Sequence, residues 1–209
     1  MEYTDKKTSK ITSPQVNIGC VVMASGEGKR FGGNKLMADF NGNPLISHAI
    51  STVLSFFDRT VVVTRHQEVA QFCQDNDVKV ILHNLPGRND TVRLGLEQIS
   101  ESCEGCIFCQ GDQPLLSAET INKMIDTFKS NPDKIIRLQF DSHPSSPVIF
   151  PRWAFGLLLN LPHGKGGNVV VKDNLDKVIY VTAGSVYETM DVDTKEDLEN
   201  LIKHIKNEQ

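Results

Sequence analysis

The sequence predicts a three-layer α/β fold, a doubly wound and mostly parallel sheet with helices on both faces. Three observations carry this. Short runs rich in Val, Ile and Cys lack the polar alternation of a half-exposed strand, as expected when a sheet is covered on both sides. Between them lie segments with apolar residues at helical spacing, so strand and helix alternate as crossover connections require. The first run, Ile18–Ala24, leads straight into a glycine-rich loop, and open parallel sheets place ligands beyond the carboxyl ends of their strands.

The elements follow in order. Residues 1–17 are polar and without periodicity and are expected to form a mobile tail, with a single domain over 18–209. Strands are expected at 18–24, 60–64, 79–82, 105–109 and 135–140, and helices at 44–56, 67–76, 90–100 and 117–130. The last of these helices opens with Ser117 three residues before Thr120 and carries Ile121, Met124, Ile125 and Phe128 at helical spacing. Past residue 140 the alternation loosens. A strand is expected at 148–150, helices at 152–159 and 165–172, a strand at 177–182, and a closing helix at 194–206 capped by Thr194 with Asp197 at its third position. Pro162 and the glycines up to Gly167 mark a loop.

Composition narrows the function classes. With 209 residues, 39% of them hydrophobic, the chain can bury one good core. A formal net charge of −4 offers no overall positive field for nucleic acid or an anionic membrane, so any polyanion must be met locally. Apolar runs fall far short of the roughly 18 residues of a membrane helix. The start MEYTDKKTSK is polar rather than a signal peptide, and a cytoplasmic location is expected. The five cysteines include C-x2-C-x2-C at Cys103, Cys106 and Cys109, a metal-ligand spacing. A strand over 105–109 would send Cys106 and Cys109 to opposite faces, so buried thiols are expected there instead.

The loop CVVMASGEGKRFGGNK switches from a buried strand to bare backbone and positive charge. Gly26, Gly28, Gly32 and Gly33 let the backbone approach an anion and turn its N–H groups inward, while Lys29, Arg30 and Lys35 neutralise charge. A polyphosphate fits this demand. The Walker loop needs Gly-Lys-Ser/Thr where Asn34-Lys35-Leu36 stands, and the dinucleotide fingerprint needs a helix at once, whereas helical character begins near Pro44.

Ala24-Ser25-Gly26-Glu27-Gly28-Lys29-Arg30-Phe31-Gly32-Gly33-Asn34-Lys35 resembles the A-A-G-x-x-x-R-F/M-G-x-x-K signature of the nucleotidyltransferase superfamily, with Ser25 in place of an alanine. GDQPLLS at 111–117 is similar to its G-D-x-P motif, above all in the molybdenum-cofactor cytidylyltransferase branch. SSPVIFPRWAF, HGKGGNVVV and DVDTKEDLE resemble further segments of that branch, in the same order along the chain. Two features depart from it. HGKGGN lacks the aspartate and arginine of the branch's G-D-K-G-A-R, and GRNDTVRLGL resembles a segment of the cytidylyltransferases of isoprenoid synthesis.

The resemblance implies a Rossmann-like nucleotidyltransferase fold and Mg²⁺-dependent transfer from a nucleoside triphosphate, CTP in that branch, to a phosphate-bearing acceptor such as the pterin molybdenum cofactor. A guanylyltransferase of the same cofactor and sugar-phosphate or isoprenoid-precursor enzymes share the donor site, and a non-catalytic nucleotide- or cofactor-binding protein is the reading from another class. The amides of 26–32 with Arg30 would hold the β- and γ-phosphates, and Lys35 the α-phosphate, with Ala24, Ser25, Gly26, Glu27, Gly28 and Lys29 forming the nucleotide loop. Asp112 would bind Mg²⁺, with a turn before Pro114 as its plain alternative, and Asp191 or Asp193 would add a second carboxylate unless it caps the last helix. Arg88, Asn89, Asp90 and Thr91 would read base or ribose, or cap a helix. Pro147, Val148, Lys165, Gly166 and Gly167 would form the acceptor side, with His163 as a candidate contact; His48 and His66 read as surface or helix residues. A phosphate monoester is already an anion at neutral pH, so no general base is expected. The partners implied are the triphosphate, the phosphorylated acceptor and a molybdoenzyme or chaperone; neither nucleic acid nor membrane is expected.

Overall fold

The computed structural model describes residues 17–208. Residues 1–16, read with Asn17 as a polar tail, lie outside the described residues. Asn17 itself is anchored: its carbonyl accepts the Glu104 amide at 2.8 Å and its side chain donates to Ser102 O at 2.8 Å.

The strands are β1 (Ile18–Ala24), β2 (Asp39–Phe40), β3 (Asn43–Pro44), β4 (Thr60–Thr64), β5 (Val80–Leu82), β6 (Gly105–Gln110), β7 (Ile135–Phe140), β8 (His143–Pro151) and β9 (Val178–Thr182). The helices are α1 (Leu45–Leu54), α2 (Gln67–Asp75), α3 (Arg88–Glu97), α4 (Ala118–Ser130), α5 (Phe155–Leu159), α6 (Asn168–Lys172) and α7 (Lys195–Glu208). Seven strands form one sheet in the order β5-β4-β1-β6-β8-β7-β9. Only β8 runs antiparallel to its neighbours β6 and β7. β2 and β3 form a separate small hairpin.

Strand alternation divides the core between two helical layers. Cys20, Val22 and Ala24 of β1 join Ile46 and Ile50 of α1, Val69 of α2 and Ile121, Met124 and Phe128 of α4. Val21 joins Val92 and Leu96 of α3, Leu158 of α5 and Val171 of α6 on the other face. Cys106 packs in this second layer and Cys109 in the first, both buried, and burial pushes the Cys106 thiol up, away from the thiolate a metal needs. α7 covers the hairpin through Leu201 against Phe40 and Leu45. Among the described residues no helix is long and apolar enough to cross a membrane.

Close helix–sheet approach depends on Gly95. A Cβ there would lie 2.5 Å from Val21 Cγ1 and 3.1 Å from Val63 Cγ2. Overpacking of this kind costs about 1–3 kcal/mol, which outweighs the helix-propensity gain from losing a glycine. Gly95→Val is therefore expected to lower the melting temperature by several degrees, read by thermal denaturation, and an unchanged value would show that α3 can move away freely.

The second half differs most from expectation. The expected strand 148–150 is a nine-residue strand because Asp141 and Ser142 adopt φ of 46° and 62° and turn β7 into β8 as a tight hairpin, without the glycine that usually announces one. The expected helix 165–172 begins only at Asn168, since Gly164 has φ +72° and Gly166 and Gly167 lie against Arg88 and Phe150. The expected helix 152–159 opens as a 3-10 turn before α5. The expected helix 90–100 runs Arg88–Glu97, because Gly87 N donates to Asp90 Oδ2 at 3.0 Å and makes Gly87 the cap. The expected helix 44–56 starts at Leu45, with Pro44 in β3.

Candidate active site

A cleft of about 640 Å³ opens at the carboxyl ends of β1 and β6. Its first wall is the glycine loop. Gly28 has φ +62°, and a Cβ there would lie 2.6 Å from Gly33 O, so the loop closes tightly on itself. Phe31 N and Gly32 N donate to Gly28 O at 3.0 and 3.2 Å. Those two amides are thus engaged within the loop, which narrows the expected phosphate cradle from 26–32 to 26–30, whose amides have no acceptor among the described residues. The loop is pinned to β4: Thr64 Oγ1 donates to Ala24 O at 2.9 Å and His66 Nε2 donates to Gly26 O at 2.7 Å. Glu27 accepts Lys29 Nζ at 2.6 Å and Arg65 at 3.3 Å, and these cations hold its carboxyl below the usual range.

The cleft floor is a charge cluster. Lys35, only 6% exposed, places Nζ 2.5 Å from Asp112 Oδ2 and 2.9 Å from Asp193 Oδ1, and Arg30 reaches Asp193 Oδ2 at 2.6 Å. Burial alone would lower the Lys35 pKa, but Asp112 and Asp193 hold it above its usual value, so the ammonium stays charged. Asp193 is held low chiefly by the Lys35 hydrogen bond. It therefore serves first as the carboxylate that steers Lys35 and Arg30. It does not cap the last helix, since Asp197 Oδ2 accepts Asp193 N, Thr194 N and Thr194 Oγ1, and Thr194 Oγ1 accepts Asp197 N, the expected Thr194–Asp197 box.

Asp191 stands on the same floor without a salt bridge among the described residues. Desolvation in the concave floor, then the charges of Asp112 and Asp193, push its carboxyl up to about 6. Crowded carboxylates of this kind suit a divalent cation. Among the described residues no group of three acidic, histidine or cysteine side chains closes a metal cage. A hard divalent ion takes one or two carboxylates and completes its shell with water and phosphate oxygens. The donor set suits a divalent cation, with Asp112 and Asp191 as the residues that would hold it.

Of the residues expected to meet the nucleotide, Arg88 and Thr91 line the cleft beside Pro86 and Gly87. Asn89 and Asp90 do not. Asn89 Oδ1 accepts Gly164 N at 2.8 Å, and Asp90 caps α3. The expected acceptor residues are also divided. Pro147 is buried behind a cis Ser146–Pro147 bond and Val148 packs into the core, while the cleft is lined one step earlier by Pro144, Ser145 and Ser146. His163, Lys165, Gly166 and Gly167 lie outside the cleft lining, on the loop that packs against α3.

Residues 20–178 match the profile of the MobA-like NTP transferase domain. The chain belongs to this family. A protein of Natranaerobius thermophilus named "Probable molybdenum cofactor guanylyltransferase" is 28% identical over 204 residues, covering 90% of this chain and 97% of that one. Among solved structures, Rv0371c from Mycobacterium tuberculosis H37Rv superposes with a TM-score of 0.78 at 22% identity, over 90% of this chain and 98% of that one. The same protein in complex with manganese gives 0.74 at 21% identity, over 90% and 99%. These confirm the α/β nucleotidyltransferase fold.

Three parts of this MobA-like site have no signature in the sequence. Ser25, the departure from the loop motif, donates to Val63 O at 3.1 Å and pairs with His83 Nε2 at 2.9 Å. Leu85 N donates to His83 Nδ1 at 3.2 Å, so Nε2 carries the proton and gives it to Ser25 Oγ. Burial, then the Arg65 charge, lowers the His83 pKa and keeps the ring neutral. Buried Gln113 donates to Thr189 O at 3.3 Å and ties the Asp112 loop to the segment bearing Asp191.

Glu188 is the third. Its carboxylate accepts Ser117 N at 3.0 Å, Ser117 Oγ at 2.7 Å, Gly184 N at 2.8 Å and Ser185 N at 3.3 Å. Burial alone would raise its pKa, but the Thr120 side chain, then Ser117 and the Gly184 amide, more than offset that and lower it. A depressed folded pKa gives stability that is full above the ordinary carboxylate range and lost as pH falls through the folded value. Glu188→Gln turns a donor toward other donors and is expected to cost about 1.5–3 kcal/mol at pH 7. The difference from wild type should shrink below about pH 4, the unfolded range. Thermal melts across pH check this; a constant difference would assign Glu188 a purely steric role.

Proposed function

We propose that this protein transfers a nucleoside monophosphate from a triphosphate, CTP in the first instance, to the phosphate of the pterin molybdenum cofactor. An acceptor phosphate oxygen forms a bond to the α-phosphorus, the bond from that phosphorus to the β-bridging oxygen breaks, and its electron pair leaves with pyrophosphate. The observation that carries the reading is the Lys35–Asp112–Asp193 cluster, set at the mouth of an amide-lined loop within one cleft. The amides of 26–30 and Arg30 would receive the β- and γ-phosphates. Lys35, held charged by its carboxylates, would face the charge that develops at the α-phosphorus. The acceptor is already ionised, so the protein's task is orientation and screening between two anions. When bound at Asp112 and Asp191, Mg²⁺ supplies further neutralisation of phosphate charge.

The relative's printed name favours GTP as a second reading of the donor. Pyrophosphate release over all four triphosphates against the pterin, a sugar phosphate and an isoprenoid-precursor phosphate separates these. The account expects the pterin with CTP to give the highest rate. A GTP preference would convert the assignment to guanylyl transfer, sugar-phosphate activity without pterin activity would overturn the acceptor, and no release from any pair would leave a binding protein.

A further inference from the structure

The cations of the cleft fall into two groups. Lys29, Arg30, Lys35 and Arg65 each pair with a carboxylate. Arg88 and Arg137 do not, among the described residues. Arg88 is exposed at the start of α3, on the nucleotide side. Arg137 projects from β7, on the far side of Asp112 from the glycine loop in the strand order β1-β6-β8-β7.

Arg137 is held rather than loose. Its Nε donates to Ser145 O at 3.2 Å and its Nη1 to Asn168 Oδ1 at 2.9 Å. The β7–β8 register slips between Arg137 and Gln139, opposite the residues that line the cleft, and such an irregularity re-aims a side chain. A guanidinium has five N–H groups, and these two bonds leave the others without an acceptor among the described residues. Arg137 is half-buried and shares the cleft with Ser145, Ser146 and Gln110. Gln110 Nε2 donates to Ser146 Oγ at 3.5 Å, so the Ser146 hydroxyl keeps its own hydrogen for another partner. An oriented, unpaired fork beside a hydroxyl donor matches the oxygens of a phosphate monoester, which takes two parallel charge-assisted bonds.

We propose that Arg137, with the Ser146 hydroxyl, receives the acceptor's phosphate. The inference rests on the nucleotidyl-transfer reading of the cleft and adds to it the residues that bind the second substrate. It moves the acceptor phosphate from Pro147, Val148 and the 163–167 loop to Arg137 of β7 and Ser146 of β8. Arg137 binds and positions the attacking group, and Asn168 and the Ser145 carbonyl keep its fork aimed.

The test is steady-state kinetics of Arg137→Gln and Arg137→Lys, varying acceptor and triphosphate separately. Loss of a charge-assisted pair is expected to raise the acceptor KM about 10–100-fold in R137Q, with the triphosphate KM unchanged within about twofold. R137K, which keeps the charge and loses the fork, should fall between and carries the test if R137Q does not fold. Inorganic phosphate titrated calorimetrically into enzyme saturated with a non-hydrolysable triphosphate analogue should bind wild type, bind R137K more weakly and not bind R137Q. An unchanged acceptor KM, or equal rises in both KM values, would overturn the inference. If wild type transfers to no acceptor, the transfer reading fails on its own, and the phosphate titration still decides for or against Arg137.

Discussion

Lys35→Met is expected to lower kcat about 10²–10³-fold, the usual scale for removing one preorganised donor from a developing charge. The triphosphate KM should change far less, because the loop amides and Arg30 remain. The reason for so large an effect is placement: Lys35 is buried, keeps its proton, and is fixed by Asp112 at 2.5 Å and Asp193 at 2.9 Å. Removing it also leaves two carboxylates facing each other. Breaking a buried pair costs about 3–5 kcal/mol, but the Asp193 side chain is 35% exposed, so the stability loss should fall below that range. Single-turnover rates with a thermal melt separate the two effects. Lys35→Arg is not expected to rescue, since a planar fork does not fit a point-charge position between two carboxylates. A kcat within threefold of wild type would remove Lys35 from the chemistry.

Asp112→Asn is expected to lower kcat by at least about 10²-fold and to raise the Mg²⁺ concentration for half-maximal activity about 10–100-fold. The amide keeps the volume and turn of GDQP while losing the charge. Asp193 still holds Lys35, so nucleotide binding measured without metal should persist. The metal titration distinguishes this variant from Lys35→Met, in which the metal requirement should not rise, because a cation that competes for Asp112 is removed. Undiminished turnover in Asp112→Asn would reduce Asp112 to the residue that starts a turn before Pro114.

What the sequence revealed follows the range of each interaction. The first half was legible because continuous apolar runs such as TVVVT and VVMA can lie only in a sheet covered on both faces, and each is followed by a helix with its own periodicity. Local chain geometry fixes loop and strand-end positions, so the glycine loop, Lys35 and Asp112 were expected near one another, and they line one cleft. Arg137 was not, because its role depends on a hairpin whose turn residues, Asp141 and Ser142, adopt positive φ without being glycine. Asn89 and Asp90 could be read as ligand contacts or caps because a polar residue at a helix start serves both, and the structure shows bonds to Gly164 N and Gly87 N. His83 and Glu188 pair with residues 58 and 71 positions away, a separation that no local pattern encodes.

The most direct measurement follows the triphosphate label in a single turnover with the phosphorylated pterin. With [α-³²P]CTP the account predicts label in a pterin–nucleotide adduct, and with [γ-³²P]CTP label in pyrophosphate. Label appearing as inorganic phosphate from the γ-position, with the α-label left on free nucleotide, would show cleavage at the wrong bond and contradict nucleotidyl transfer at this cleft.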